Sequence, residues 1–171
     1  KVTVEKISFD LRELIENITI SFKEFISENN INCHLYIDET ITSNLKGDPT
    51  KLSQIIINLL NNAIKFSKNG DVWCTVKKIN ESNNEIKLYF EVKDNGIGIP
   101  TDKQETIFDS FSQGSVEINR TYGGTGLGLS IVKKILELMG SEIHLTSESG
   151  KGSTFNFELQ FEKGIASKTK I

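Results

Sequence analysis

Asp48-Pro49-Thr50-Lys51-Leu52-Ser53-Gln54-Ile55-Ile56-Ile57-Asn58-Leu59-Leu60-Asn61-Asn62-Ala63-Ile64-Lys65-Phe66 is the stretch on which the architecture turns. Asp48 is an N-cap and Pro49 suits the first helical position, so the spacing predicts a helix from here to about Phe66. Each residue turns about 100°, and with Leu52 at zero the side chains of Ile55, Ile56, Leu59, Leu60 and Ala63 fall between about 300° and 80°. That arc is a core stripe. Asn58, Asn62 and Lys65 fall near about 240°, 280° and 220°, on one edge beside it. Carboxamide oxygens are neutral hard donors suited to Mg²⁺, and a lysine a turn away neutralises phosphate charge. Taken alone, the same edge also reads as a solvated face in an Asn-rich chain.

Towards the N-terminus, Leu14, Ile15, Ile18, Phe22, Phe25 and Ile26 recur at helical steps from Leu11, with Asp10 and Glu13 forming a capping-box-like start. Ile31 to Asp38 alternates as a half-buried strand. Beyond the central helix, Asp71 to Ile79 and Glu85 to Asp94 read as a hairpin joined by Asn80-Glu81-Ser82-Asn83-Asn84. A short helical piece is expected around Asp102 to Phe108. Ser112 to Gly126 carries no periodicity and several glycines, the profile of a functional loop. Leu127 to Met139 predicts another helix, and Glu142 to Ser147 with Ser153 to Phe161 a closing hairpin. The tail from Glu162 is polar, and no internal repeat occurs. Without regular β-α-β alternation, this order predicts a mixed sheet covered by helices on one face. One domain is expected over residues 1–161, with 162–171 as a polar tail or linker.

The 171 residues are 37% hydrophobic and 25% charged, the balance of one water-soluble domain with a buried core. With 20 Lys plus Arg against 23 Asp plus Glu the net charge is -3, which supplies no basic field for a nucleic-acid backbone. No apolar run reaches the roughly 18 to 20 residues of a membrane span, so no direct membrane contact by this segment is expected. Cys33 and Cys74 belong to no C-x-x-C or Cys/His cluster, which argues against a disulfide framework or a zinc site. The sequence opens at Lys1 in residues that already read as folded structure, so it is expected to be excised from a longer protein.

Two further stretches carry chemistry. Asp94-Asn95-Gly96-Ile97-Gly98-Ile99-Pro100 ends a strand, where Gly96 and Gly98 let backbone approach a flat ligand. A carboxylate there accepts from the exocyclic amine of adenine, whereas guanine presents a carbonyl at that place. An Asx-type turn closing a hairpin is the alternative reading. Gly123-Gly124-Thr125-Gly126-Leu127-Gly128-Leu129 leads into a helix and offers free N–H groups and a helix dipole to phosphate. It is neither a Rossmann fingerprint nor a Walker A loop, because Leu129 stands where the third glycine would be and no Gly-Lys-Ser/Thr occurs. A flexible linker is the alternative here.

In this order, from roughly Ile7 to Phe161, the chain resembles the catalytic and ATP-binding domain of sensor histidine kinases, in the superfamily of DNA gyrase, Hsp90 and MutL ATPases. Asp48 to Gln54 and Asn58 to Phe66 look like the N box. Asp94-x-Gly96-x-Gly98 looks like the G1 box, Ile107-Phe108-Asp109-Ser110-Phe111 like the F box, and Gly124 to Leu129 like the G2 box. Gly150-Lys151-Gly152-Ser153-Thr154-Phe155 looks like the C-terminal box. The resemblance implies a Bergerat-type α/β (α+β) two-layer sandwich, its sheet mixed but mostly antiparallel, with about three main helices on one face. It implies that Asn62, helped by Asn58, holds Mg²⁺, that Lys65 meets phosphate, and that Phe66 lies against the nucleotide. Asp94 would read adenine, flanked by Gly96, Gly98 and Ile99. Residues 112–126 would form an ATP lid, with Phe108 and Phe111 at its base, Gln113 and Arg120 as phosphate contacts, and Gly124, Thr125, Gly126, Leu127, Gly128 and Leu129 as the cradle. Thr154 would sit near Asp94.

The resemblance also implies a phosphoacceptor histidine on a helical hairpin, followed by an acidic residue and a proline-containing motif. His34 and His144 each lie in an apparent strand, and Pro49 and Pro100 belong to other motifs. The expected activity is therefore half of a phosphotransferase: Mg-ATP held here, and the γ-phosphate passed to a histidine on a separate, upstream dimerisation domain, with a response regulator receiver domain as an indirect partner. This fragment alone should not autophosphorylate. Two alternatives stay open, a gyrase- or Hsp90-type ATPase and a degenerate nucleotide-binding regulatory module. In the ATPases a catalytic acid stands four residues before the magnesium-ligand asparagine. That place is Asn58 here, a poor general base. Kinases of this type are often membrane-anchored while their catalytic domains stay cytoplasmic, which is the expected location.

Overall fold

The computed structural model describes residues 3–42, 44–109 and 128–164. In chain order these are β1 (Ile7–Asp10), α1 (Leu11–Ser21), α2 (Lys23–Glu28), β2 (Asn32–Ile37), β3 (Asn44–Gly47), α3 (Pro49–Phe66), β4 (Asp71–Glu81) and β5 (Glu85–Asp94). Two short 3₁₀ turns follow, Thr101–Lys103 and Thr106–Phe108, and then α4 (Gly128–Leu138), β6 (His144–Glu148) and β7 (Gly152–Lys163). The sheet runs β1-β3-β7-β5-β4-β2, with β6 also on β7. Among the described residues only β2 against β4 is parallel, and the other pairings are antiparallel.

Strand alternation decides which face is covered. Val72, Cys74 and Val76 of β4 stand across from Asp94, Val92 and Phe90 of β5, which stand in turn across from Ser153, Phe155 and Phe157 of β7. All are buried, and so are Ile86, Leu88, Leu159 and Phe161 in the continuing rows. The Phe90 and Phe157 rings stack at 4.9 Å between centroids. α3 lies on this face and packs against both α1 and α4, with Leu52, Ile55, Ile56, Leu59, Leu60, Ala63 and Ile64 buried. Fully burying one such leucine or isoleucine contributes about 1.5 to 3 kcal/mol. The other face is open and polar. There Trp73 stacks on His34 at 5.4 Å and carries the Lys93 ammonium 5.4 Å from its ring.

Asp48 does more than start α3. Its carboxylate is fully buried, and Oδ1 accepts the Lys51 N–H at 3.0 Å as an N-cap. Oδ2 accepts the Glu5 N–H at 2.8 Å and the Lys51 ammonium at 3.2 Å, while that ammonium also donates to the Thr3 carbonyl at 2.8 Å. The segment entering β1 is thereby fastened to the first turn of α3.

Several boundaries differ from the sequence reading; β4 runs on to Glu81 and β6 begins only at His144. The helix expected from Leu11 through Ile26 is broken at Phe22 (φ −93°, ψ 5°), whose N–H bonds the Thr19 carbonyl in a tightened last turn. The apolar stripe runs on through Phe22, Phe25 and Ile26, so its period hides the break. β1 and β3 are additional strands, four residues each, paired from Ile7 with Gly47 to Asp10 with Asn44. β7 continues past Phe161 because Glu162 and Lys163 pair with Lys46 and Leu45 of β3.

Candidate functional site

The loop after β5 is held from three sides. Gly96 packs on the end of α3 so closely that a Cβ there would lie 1.9 Å from the Phe66 carbonyl oxygen, which also accepts the Ile97 N–H at 3.1 Å. Gly98 has φ of 70°, and a Cβ there would meet the Glu148 carbonyl oxygen at 2.0 Å. Both glycines are required by backbone contact. The Ile97 carbonyl accepts the Gly150 N–H at 2.6 Å, and the Ile99 N–H donates to Ser147 Oγ at 2.8 Å. Gln104 Nε2 donates to the carbonyls of Ile99 (2.8 Å) and Ser147 (3.1 Å), tying the 3₁₀ turns to the same loop.

Asp94 sits at the end of the covered face with only 4% exposure. Burial pushes its carboxyl up to about 6, opposed by the N–H groups of Gly96 and Ser153. The Gly96 bond, 2.9 Å, makes an Asx turn, the feature of the alternative reading of this stretch. Among the described residues the groups that oppose the shift are backbone N–H groups.

Along α3, Asn58 Nδ2 donates to the Gln54 carbonyl at 2.9 Å, which leaves Oδ1 as the free acceptor of that amide on the side of Gly128. A Cβ on Gly128, at the start of α4, would lie 3.3 Å from that oxygen. Asn62 and Lys65 are half-buried on the same edge, and burial lowers the Lys65 ammonium below its ordinary value. Amide oxygens and a partly desolvated ammonium on one helix edge are a donor set that fits a divalent cation held together with phosphate. Among the described residues no group of three His, Cys, Asp or Glu forms a metal cage.

Ile99 is buried, Leu129 packs against the core, and Phe108 meets Phe155 edge-on at 6.1 Å. One expected position is corrected. The resemblance implies Thr154 near Asp94, yet Thr154 aligns with Lys93 and Thr146 on the open face, and Ser153 stands across from Asp94. Counting back in twos from Phe161 through Leu159, Phe157 and Phe155 reaches Ser153, a signal the sequence carried. Ser147 and Gln104 had no such signal, because their role depends on contacts more than 40 residues apart. Phe111, Gln113, Arg120, Gly124, Thr125, Gly126 and Leu127 lie outside the described residues. His34 pairs with Asp71 at 3.2 Å on the open face, and His144 lies exposed in β6.

Comparison with known proteins agrees with this fold. The family described as "Histidine kinase-, DNA gyrase B-, and HSP90-like ATPase" matches residues 47–163. The signal transduction histidine-protein kinase BarA of Escherichia coli is 36% identical over 162 residues, covering 95% of this chain and 18% of BarA. The sensor histidine kinase AruS of Pseudomonas aeruginosa is 38% identical over 156 residues, covering 91% of this chain and 16% of AruS. The chain thus spans less than a fifth of either relative. Full-length ShkA in complex with AMPPNP superposes with a TM-score of 0.81 at 27% identity, over 96% of this chain and 33% of ShkA. The nucleotide-free catalytic domain of histidine kinase ThkA gives 0.71 at 30% identity, over 91% of this chain and 95% of that domain. With the matched span running from the glycine before Asp48 to the end of β7, the chain belongs to the histidine kinase-, DNA gyrase B- and HSP90-like ATPase family.

Proposed function

We propose that the cleft between the edge of α3 and the Asp94 loop binds Mg-ATP and presents its γ-phosphate to a histidine on a separate dimerising helical domain. The observation that carries this reading is the buried Asp94 carboxylate, ringed by backbone N–H groups and close-packed glycines, which is built to accept an amine from a flat base. Adenine supplies that donor. Asn58 and Asn62 would hold Mg²⁺ through their amide oxygens, Lys65 would meet phosphate, and Phe66 would flank the nucleotide. Bound there, the cation would neutralise charge on the phosphate oxygens. Gln113, Arg120 and the 124–129 glycine cradle complete the proposed phosphate contacts. Ser153 takes the place expected of Thr154.

The chain's own residues position ATP without supplying the nucleophile. In the transfer, the bond from the γ-phosphorus to the bridging oxygen breaks, a bond to an imidazole nitrogen of the acceptor forms, and ADP leaves. The imidazole proton passes to a base of the acceptor domain. ThkA has been solved in complex with the response regulator protein TrrA, which supports a receiver domain as the next acceptor here as well. The segment would lie in the cytoplasm, as the catalytic part of a sensor kinase. Among the described residues no helix is long and apolar enough to cross a membrane.

Calorimetric titration tests the reading. Mg-ATP should bind, and Asn62→Ala should weaken binding in Mg²⁺ while changing little in EDTA. Absence of heat with both ATP and ADP in Mg²⁺ overturns it. Rapid hydrolysis abolished by Asn58→Ala would instead make the chain a self-contained ATPase.

A further inference from the structure

One transverse row of the sheet crosses five strands on the covered face: Cys33, Val72, Asp94, Ser153 and Ser147. It starts apolar and ends in two hydroxyls, with Ser153 buried to 6% exposure. Ser147 Oγ donates to the Gly152 carbonyl at 2.9 Å, accepts the Ile99 N–H at 2.8 Å, and lies 2.8 Å from Ser153 Oγ. A serine hydroxyl has one proton and two lone pairs. With its proton on Gly152, Ser147 must accept from Ser153, so both of its lone pairs and its proton are committed. Three segments converge on one oxygen: the far end of the Asp94 loop, the glycine that begins β7, and the residue paired with Asp94.

Gly152 is itself wedged against Asp94. It has φ of 109°, and a Cβ there would lie 2.0 Å from the Asp94 carbonyl oxygen. Ser147 therefore fixes both walls between which the Asp94 carboxylate is aimed. Without it the Ile99 N–H and the Ser153 hydroxyl lose a partner, and the loop gains freedom to turn the carboxylate. Base discrimination depends on that aim, because a site built around one hydrogen bond rejects a base that cannot make it.

We propose that Ser147 is a positioning residue for base selection, holding the Asp94 loop so that the site prefers adenine over guanine. This rests on the nucleotide reading above. The experiment titrates the 171-residue chain with Mg-ATP and Mg-GTP, GTP being measured by displacement of a fluorescent adenine nucleotide. It compares wild type, Ser147→Ala, Ser147→Thr and Ser141→Ala, and records thermal unfolding of each. Ser141 donates to the Glu158 carbonyl at 2.5 Å away from the Asp94 loop, so Ser141→Ala is a hydroxyl-deletion control.

Loss of a neutral hydrogen bond is expected to weaken ATP binding by about 2- to 12-fold in Ser147→Ala, with GTP binding unchanged and the ATP-to-GTP ratio narrowed accordingly. Ser147→Thr, which keeps the hydroxyl, should retain the wild-type ratio, as should Ser141→Ala. A wild-type ratio in Ser147→Ala overturns the positioning role and leaves nucleotide binding intact, whatever happens to its melting temperature. Wild-type protein that binds neither nucleotide overturns both. Ser147→Cys, similar in size but a far weaker donor and acceptor, is read in the same assay as a second variant.

Discussion

At the scale of single residues, Asp94 shows a buried carboxylate held against stability. Burial raises its carboxyl from 3.8 to about 6, so the folded chain binds that proton more tightly than the unfolded chain. The sign follows from linkage: the penalty is absent below about pH 4, grows as pH rises through the interval, and is fully present above about pH 6. A shift of this size corresponds to a cost on the order of 2 to 3 kcal/mol at neutral pH. Asp94→Asn should therefore raise the melting temperature at pH 7.5 and change it little at pH 4, as thermal unfolding at the two pH values would show. The same substitution should lower ATP affinity by roughly 10- to 150-fold, the loss of a hydrogen bond to a charged group. Wild-type ATP affinity should fall as pH drops from 7.5 to 5, with that dependence reduced in Asp94→Asn, whose profile subtracts the nucleotide's own titration. A pH profile identical in the two proteins would remove Asp94 from base recognition.

At the scale of elements, α3 was legible because its instructions are local. Asp48 and Pro49 mark its first turn, and one apolar stripe runs its length. β5 was equally legible, since its alternation ends at an acid-glycine turn. β1 and β3 were not, because a four-residue strand offers too few alternations to register and is held by partners nearly 40 residues away. The Ser153 and Thr154 assignment failed by one position, and a one-residue phase error in a strand moves a side chain to the opposite face. Asp48 is where a local and a distant signal share one side chain: the cap was readable, the Glu5 contact was not. Burial pushes its carboxyl up, but the N–H groups of Glu5 and Lys51 and the Lys51 ammonium more than offset this and leave it lowered. Its stabilisation should be complete above about pH 4 and be lost as pH falls through its depressed value. Asp48→Ala, which removes a cap and orphans two N–H groups, should cost about 2 to 4 kcal/mol in urea unfolding at pH 7. A loss below about 0.5 kcal/mol would mean that water replaces these bonds at little cost.

At the scale of the whole molecule, one sheet face is committed to the core and to the Asp94 row, while the other carries charges and the Trp73 stack. Both histidines are strand residues outside the site. His34 is stacked on Trp73 and paired with Asp71, and His144 is exposed. Incubation with γ-labelled ATP and Mg²⁺ should leave no acid-labile phosphate on this chain, and label should appear on an acceptor domain when one is added. Label on His34 or His144 would contradict the division of labour. The Asp48 fastening has a mechanical consequence. A pull applied at Thr3 is not absorbed by slack backbone, because Thr3 and Glu5 are tied to Lys51 and Asp48. It loads the first turn of a stiff rod, and Asn58, ten residues further on, rides about 15 Å along that rod. Tension at the chain's entrance and the placement of the amide oxygens are thus in series, like the two ends of a single lever.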